Sequence, residues 1–197
     1  MDTPYRTIEH KGMTVEIHQD PSPSNPRQEF DNLGTMICCH NRYDMGDKHE
    51  YNHNAYSSWD GFLAAVAKKE GSLVSLPIYM YDHSGQTINT TGFSCPWDSG
   101  RLGFIYVTKE KLRKQYGWKV ITKKREEQAL KYLLGEVETY DDYLTGNVYG
   151  YRVKDALGVE IHSCWGFYGD PDNSGIIDEA KGEAECAVEH KPEGVVA

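Results

Sequence analysis

The stretch LVSLPIYMYDHSGQTINTTGFSCPWDSGRLGFIYV (73–107) decides most of the fold, because two strand-like runs in it border a long polar segment. The runs 73–81 and 102–107 are rich in β-branched and aromatic residues, which favour β-strands. Pro77 lies inside the first run, so we expect an edge position or a β-bulge there. About twenty small and reactive residues separate the runs, and loops of that length are usually functional.

Further strand patterns lie on both sides of this stretch. The segments 5–10 and 13–18 flank Lys11-Gly12 and predict an opening β-hairpin. A buried strand is expected over 33–40. A closing hairpin is predicted from 148–153 and 159–165.

Helix signals separate these strands. Ser57 or Ser58 can cap a helix that ends at Gly71. Thr108 can cap a short helix that ends at Gly117. Thr122 can cap a longer helix that ends before Gly146, because leucines recur in this segment at intervals of three and four residues. We therefore expect an α+β fold, with a mostly antiparallel sheet and two to three helices packed on one side.

Length and charge suggest one domain followed by a tail. The chain has 197 residues, a net charge of -9 and 39% hydrophobic residues. These values suit a single core, which we place in residues 1–169. From Asp170 onward there are eight acidic residues against two lysines, so 170–197 is expected to be an acidic, flexible C-terminal tail.

Cysteine usage and hydropathy indicate a cytoplasmic protein. The five cysteines are an odd number, and Cys38 and Cys39 are adjacent, which favours reduced thiols. The sequence contains neither an apolar run long enough to span a membrane nor a signal-peptide pattern at its start. We expect a location in the cytosol and no membrane partner.

A thiol enzyme is one possible function of the long loop. Cys95 could act as the nucleophile and His83 as its base, with Asp82 or Asp98 orienting the imidazole. Pro96 weakens this hypothesis, because it removes a backbone N–H that could bind an oxyanion. The alternative is a packed thiol. A hydrolase or transferase that uses this loop, with or without a metal, is the second hypothesis for function.

A metal site is possible in the polar segment before the first helix. His40, Asp47, His49 and His53 are the candidate ligands, with Cys38 or Cys39 as possible additions. Zinc is the metal that such residues would hold. No CxxC pair or HExxH motif supports it, so we predict no cofactor.

Nucleic-acid binding is the third hypothesis. The segment 109–131 carries nine basic and three acidic residues, with aromatic residues interleaved. Lys119, Lys123, Lys124 and Arg125 are its candidate contacts. Two solvated amphipathic helices would explain the same pattern.

A protein-binding surface is compatible with most of these residues. Tyrosine, tryptophan and arginine are typical of binding hot spots. The candidate binding residues are Arg42, Tyr43, Asp82, His83, Trp97, Asp98 and Arg101.

Four long phrases of the sequence are idiosyncratic: NPRQEFDNLGTMICCHNRYDMGDKH (25–49), LPIYMYDHSGQTINTTGFSCPWDSGRLGFIYV (76–107), ETYDDYLTGNVYGYRV (138–153) and SCWGFYG (163–169). Taken together, they resemble an uncharacterised family of accessory proteins from bacteriophages and mobile elements. The resemblance implies a protein that acts in the host cytosol against host machinery or defences. Our leading hypothesis is therefore a binding protein that inhibits or diverts a bacterial protein or nucleoprotein complex.

Overall fold

A computed structural model describes residues 3–189 and contains eight strands. The strands are β1 (Arg6–His10), β2 (Met13–Gln19), β3 (Thr35–Cys38), β4 (Ser72–Asp82), β5 (Gln86–Asn89), β6 (Ser99–Thr108), β7 (Val148–Lys154) and β8 (Glu160–Tyr168). The α-helices are α1 (Pro26–Glu29), α2 (Trp59–Glu70), α3 (Lys109–Tyr116), α4 (Lys123–Thr145) and α5 (Ile176–Glu189). A single 3-10 turn covers His53–Ala55.

The chain divides into two compact units. The central unit is Asn25–Thr145, and the split unit combines the residues before Asn25 with those after Thr145. Each unit contains one four-stranded antiparallel sheet, in the order β3-β6-β4-β5 in the central unit and β1-β2-β7-β8 in the split unit. The predicted α+β class is confirmed. The structure differs from the expectation of one domain over 1–169 because each sheet has its own apolar core.

The split unit is built on the two predicted hairpins. In β2, Met13, Val15 and Ile17 are buried and alternate with polar residues, as expected for a strand with one face on a core. Their side chains belong to the same core as the buried residues of α5. The opening and closing hairpins are thus confirmed as β1–β2 and β7–β8.

The segment after Asp170 differs from the expected acidic tail. Ile176, Ala180 and Ala184 are fully buried on one face of α5, four residues apart. That spacing places the three side chains on one helix face, and alanine lets a helix pack closely. The acidic side chains of α5 lie on its other faces. The last part of the predicted tail, 190–197, lies outside the described residues.

The proline in β4 lies where the sequence analysis expects it. Pro77 is opposite Phe104 of β6, and the register shifts between Ile78 and Tyr79. On its other side, β5 pairs only with residues 79–82, so Pro77 has a neighbouring strand on one side. A residue without an N–H is tolerated in such a position.

Helices α2 and α3 begin and end at the predicted caps. The side chain of Ser58 accepts a hydrogen bond from the backbone N–H of Gly61, and Gly71 ends α2 in the left-handed conformation. Thr108 and Gly117 serve α3 in the same way. Helix α4 packs on the sheet through its buried residues Ala129, Leu133, Val137 and Tyr140. None of the helices within residues 3–189 combines the length and the apolar character that crossing a bilayer requires.

Gly103 allows β3 and β6 to approach closely. A Cβ atom at this position would lie 1.9 Å from the carbonyl oxygen of Ile37 on the neighbouring strand. Only glycine fits there without a shift of the backbone. Because Gly103 follows Arg101 and Leu102, this close approach also positions the residues that line the cavity described next.

Candidate functional site

Two polar segments that are distant in sequence meet in the central unit. They enclose an open cavity of about 300 Å³. Its polar and aromatic lining comes from His40 and Arg42 on one side and from Asp82, Trp97, Asp98 and Arg101 on the other. Most of the predicted binding residues are therefore brought together, while Tyr43 and His83 contact members of this group from outside the lining.

The segment between β4 and β6 is more regular than predicted. Strand β5 forms within it, and the carboxylate of Asp141 on α4 accepts hydrogen bonds from Thr87 Oγ1 at 2.8 Å and from the Ile88 N–H at 2.7 Å. The side chain of Asn89 accepts from the N–H of Gly92 at 2.7 Å. These bonds fix the backbone that presents Trp97 and Asp98.

Arg42 closes one side of the cavity. Its guanidinium pairs with the carboxylate of Asp82, and its Cζ lies 5.2 Å from the centroid of the Tyr43 ring. The Tyr43 ring stacks on His40 at 4.8 Å with an angle of 8° between the planes. Asp82 is thereby neutralised although its side chain is only 18% exposed, whereas Arg42 is 68% exposed.

Arg101 also lines the cavity and is held by aromatic rings. Its Nε donates to the carbonyl of Gly103 at 2.8 Å. Its Cζ is 5.4 Å from the ring centroid of Tyr79 and 5.9 Å from that of Trp59. Trp59 stacks in turn on His53 at 4.6 Å. Contacts of this kind between a guanidinium and aromatic faces fix its orientation.

Trp97 is the most exposed large apolar side chain of the site. Its exposed fraction is 91%, although it also lines the cavity. It therefore stands at the rim, with its indole in solvent. A tryptophan exposed to this degree is available to pack against another molecule.

Cys95, His83 and Asp98, the residues proposed for a thiol enzyme, are close together. The thiol, however, is next to the carboxylate and not next to the imidazole. Asp98 Oδ2 lies 3.8 Å from Cys95 Sγ and 3.4 Å from His83 Nδ1. The carboxylate thus stands between the thiol and the imidazole. Across residues 3–189, no hydrogen bond joins the thiol to His83, so the imidazole is not placed to take the thiol proton. Asp82, the other acid proposed to orient this base, pairs with Arg42 instead.

The predicted metal ligands bind other partners. Both oxygens of Asp47 accept hydrogen bonds from Arg27. His49 uses both ring nitrogens, Nε2 to the Cys38 carbonyl at 2.8 Å and Nδ1 to the Tyr51 N–H at 3.1 Å. His40 Nδ1 accepts from the Arg42 N–H at 3.2 Å.

All of these candidate ligands, Cys38 and Cys39 included, line a second cavity of about 250 Å³. Within the described residues, no group of three or more histidine, cysteine, aspartate or glutamate side chains could hold a metal ion. Burial raises the pKa of Cys38, which opposes the thiolate form that zinc requires. That the protein needs no cofactor, zinc included, stays a prediction.

Arg27, which the sequence did not indicate as important, forms a buried ion-pair network in the central unit. Its side chain is 1% exposed and pairs with Asp47 at 2.6 Å and with Glu136 of α4 at 2.8 Å. The same carboxylates accept the backbone N–H groups of Leu33, Gly34 and Met36. Burial lowers the pKa of Arg27, but its hydrogen bonds to Asp47 and Glu136 raise it more, so it stays charged.

Aromatic rings in the basic segment stack on one another. Tyr116 lies 4.6 Å from Trp118 and 5.7 Å from Tyr132, and Arg125 Cζ is 4.9 Å from the Trp118 ring. Lys119, Lys123 and Lys124 are exposed around this cluster. The basic charges are thus available to a ligand, while several ring faces are already occupied. Nucleic-acid binding at this surface stays a prediction.

Comparison of the chain with protein-family models, with curated proteins and with solved structures finds no match in any of the three. Function therefore has to be inferred from the cavity and the residues around it.

Proposed function

We propose that the protein is an accessory protein of the phage type that acts by binding in the bacterial cytosol. Its target would be a bacterial protein or nucleoprotein complex, including one of host defence, which it inhibits or diverts. The resemblance of four long phrases to a phage and mobile-element family motivates the context. The resemblance does not specify which surface binds.

The exposed indole of Trp97 is the observation that carries the proposal. Binding energy in protein interfaces concentrates in a few residues, and tryptophan and arginine are enriched among them. Trp97 is 91% exposed and shares its cavity with Arg42 and Arg101. An exposed aromatic anchor beside two guanidinium groups is therefore suited to recognise a protein surface.

The order of Cys95, Asp98 and His83 favours binding over thiol chemistry. A carboxylate rather than an imidazole is the polar neighbour of the thiol. Pro96 supplies no N–H for an oxyanion. The same residues are compatible with a fixed recognition loop.

Partner capture from bacterial lysate tests the proposal. The full-length protein should retain a stoichiometric partner, and Trp97→Ala should weaken its affinity by about thirtyfold, which corresponds to a hot spot of about 2 kcal/mol. Leu157→Ala is the matched control, because Leu157 is 87% exposed but belongs to the split unit.

Two results would count against the proposal. One is the absence of any stoichiometric partner together with turnover of a small substrate by the purified protein. The other is an equal loss of partner with Trp97→Ala and Leu157→Ala, which would show that exposed apolar area alone causes the capture.

A further inference from the structure

Arg101 is the guanidinium of the cavity that forms no ion pair with a carboxylate of the described residues. Arg42 pairs with Asp82, and Asp98 lies 3.4 Å from His83 Nδ1. Among the described residues, no aspartate or glutamate forms an ion pair with Arg101. The cavity thus holds one guanidinium to which a ligand can supply a direct carboxylate contact.

The geometry of Arg101 leaves its outer nitrogens available. A guanidinium has five N–H donors, of which Nε uses one for the Gly103 carbonyl at 2.8 Å. Within residues 3–189, the two terminal nitrogens have no protein acceptor. Tyr79 and Trp59 hold the group within 6 Å of their rings. The planar fork is thereby oriented before a ligand arrives, which lowers the entropy lost on binding.

We infer that Arg101 binds the carboxylate of an aspartate or glutamate side chain on the partner protein, an inference that rests on the proposed function. The two terminal nitrogens match the two oxygens of a carboxylate, so that two parallel N–H···O bonds can form. Trp97 at the rim would pack against the apolar stem of the same side chain. The carboxylate is thus the chemical group of the partner that this part of the binding surface would recognise.

Charge favours a carboxylate over a phosphate. One unpaired guanidinium matches one negative charge, whereas a phosphate group carries about -1.5 to -2 at neutral pH. The carboxylates of Asp82 and Asp98 also line the cavity, and they disfavour a doubly charged ligand more than a singly charged one. The volume of about 300 Å³ is at the lower end for ligand pockets, which suits one side chain.

The test uses the full-length protein and N-acetylglutamate amide, which carries a single carboxylate, as the probe. The four tryptophan indole N–H resonances report the result by NMR. Trp97 lines the cavity and Trp59 contacts Arg101, so both should shift in a saturable way. Trp118 and Trp165, which neither line the cavity nor contact Arg101, should remain in place. N-acetylglutamine amide is the neutral probe of the same shape, and an equal response to it would overturn the inference.

Three arginine variants show whether Arg101 is the residue that binds the probe. Arg101→Gln should weaken probe binding at least tenfold, and Arg101→Lys should give an intermediate loss because it retains the charge but not the fork. Arg152→Gln is the control, because Arg152 lies 5.5 Å from the Trp165 ring in the split unit and should bind the probe as the unmodified protein does. Unchanged binding by folded Arg101→Gln would overturn the inference.

Inorganic phosphate separates the two kinds of oxyanion. Phosphate should bind at least tenfold more weakly than the glutamate probe. If phosphate bound more tightly than the glutamate probe and its binding also depended on Arg101, the ligand of Arg101 would be a phosphate rather than a protein carboxylate. That result would overturn the inference.

Failure of this inference is distinguishable from failure of the proposed function. Partner capture that depends on Trp97 but is unaffected by Arg101→Gln would contradict the carboxylate site alone. Probe binding that depends on Arg101, without any captured partner, would contradict the proposed function alone.

Discussion

The guanidinium of Arg42 pairs with the carboxylate of Asp82, forty residues further along the chain. This pair joins the segment after β3 to the end of β4, and both residues line the cavity. It also determines how much negative charge Arg101 and any ligand experience there.

Substitutions of Arg42 and of Asp82 should change the affinity for N-acetylglutamate amide in opposite directions. Arg42→Gln leaves Asp82 without its counter-charge, so binding of N-acetylglutamate amide should weaken several-fold. Asp82→Asn removes a repulsive charge and should strengthen it. Because Arg42 is 68% exposed, the coupling between the two residues in a double-mutant cycle of urea unfolding should be only about 0.2–1 kcal/mol. Equal shifts of the same sign in probe affinity would contradict this account.

Gly103→Ala should destabilise the central unit. The added methyl group would lie 1.9 Å from the Ile37 carbonyl oxygen, so β3 and β6 must separate. Overpacking of this kind costs about 1–3 kcal/mol or more. Gly100→Ala is the matched control on the same strand, because a Cβ there meets nothing within 4 Å. Thermal unfolding of both variants checks the difference, and equal melting temperatures would show that the strands are not in close contact at this point.

Arg27→Met should cost about 3–5 kcal/mol of unfolding free energy, because it leaves Asp47 and Glu136 partly buried without their counter-charge. Hydrogen exchange should accelerate at the amides of Leu33, Gly34 and Met36, which donate to these carboxylates. Arg42→Met removes an exposed arginine and should leave the exchange of those amides unchanged. Unaltered protection of these amides in Arg27→Met would refute the proposed network.

Glu16 should make the split unit sensitive to acid. Burial raises the pKa of its carboxyl, but hydrogen bonds from Lys154 and His18 lower it more, and the net pKa lies below the ordinary value of 4.5. The unfolded chain therefore binds the proton first, so this contribution to stability is complete above that value and is lost as pH falls through the folded pKa.

Glu16→Gln should remove this dependence. The variant should be less stable at neutral pH, and its unfolding free energy should fall less steeply below pH 4.5 than that of the unmodified protein. Glu9→Gln removes one negative charge from the same hairpin and serves as the control. Identical slopes for Glu16→Gln and the unmodified protein would mean that these hydrogen bonds do not persist in solution.

Local signals predicted the helix ends of the central unit because caps depend on neighbours in sequence. Ser58, Gly71, Thr108 and Gly117 each act on the turn next to them, so the sequence alone was sufficient. In α5 the apolar signal was also local, but Ala180 and Ala184 are too common and too weakly hydrophobic to stand out among the acidic residues.

Long-range partners explain what the sequence could not show. Arg27 meets Asp47 and Glu136, which are 20 and 109 residues away, and nothing near Arg27 indicates them. The cavity likewise depends on strand register, since Tyr79 is opposite Arg101 only when β4 and β6 pair as they do. Residue type and loop context therefore identify Arg42, Asp82 and Arg101 as candidates, but their convergence depends on pairings that only the fold creates.

The division of the split unit has a consequence for the order in which the chain can fold during synthesis. Every residue of the central unit emerges from the ribosome before β7, β8 and α5. An isolated two-stranded hairpin is marginally stable in water, so β1 and β2 must wait with Met13, Val15 and Ile17 uncovered. Residues 25–145 form most of the connection between β2 and β7. If this segment folds first, it brings the ends of the connection together and reduces the loop-closure entropy of pairing β2 with β7. Folding of β1 and β2 is thus completed by α5, which is synthesised after the whole central unit.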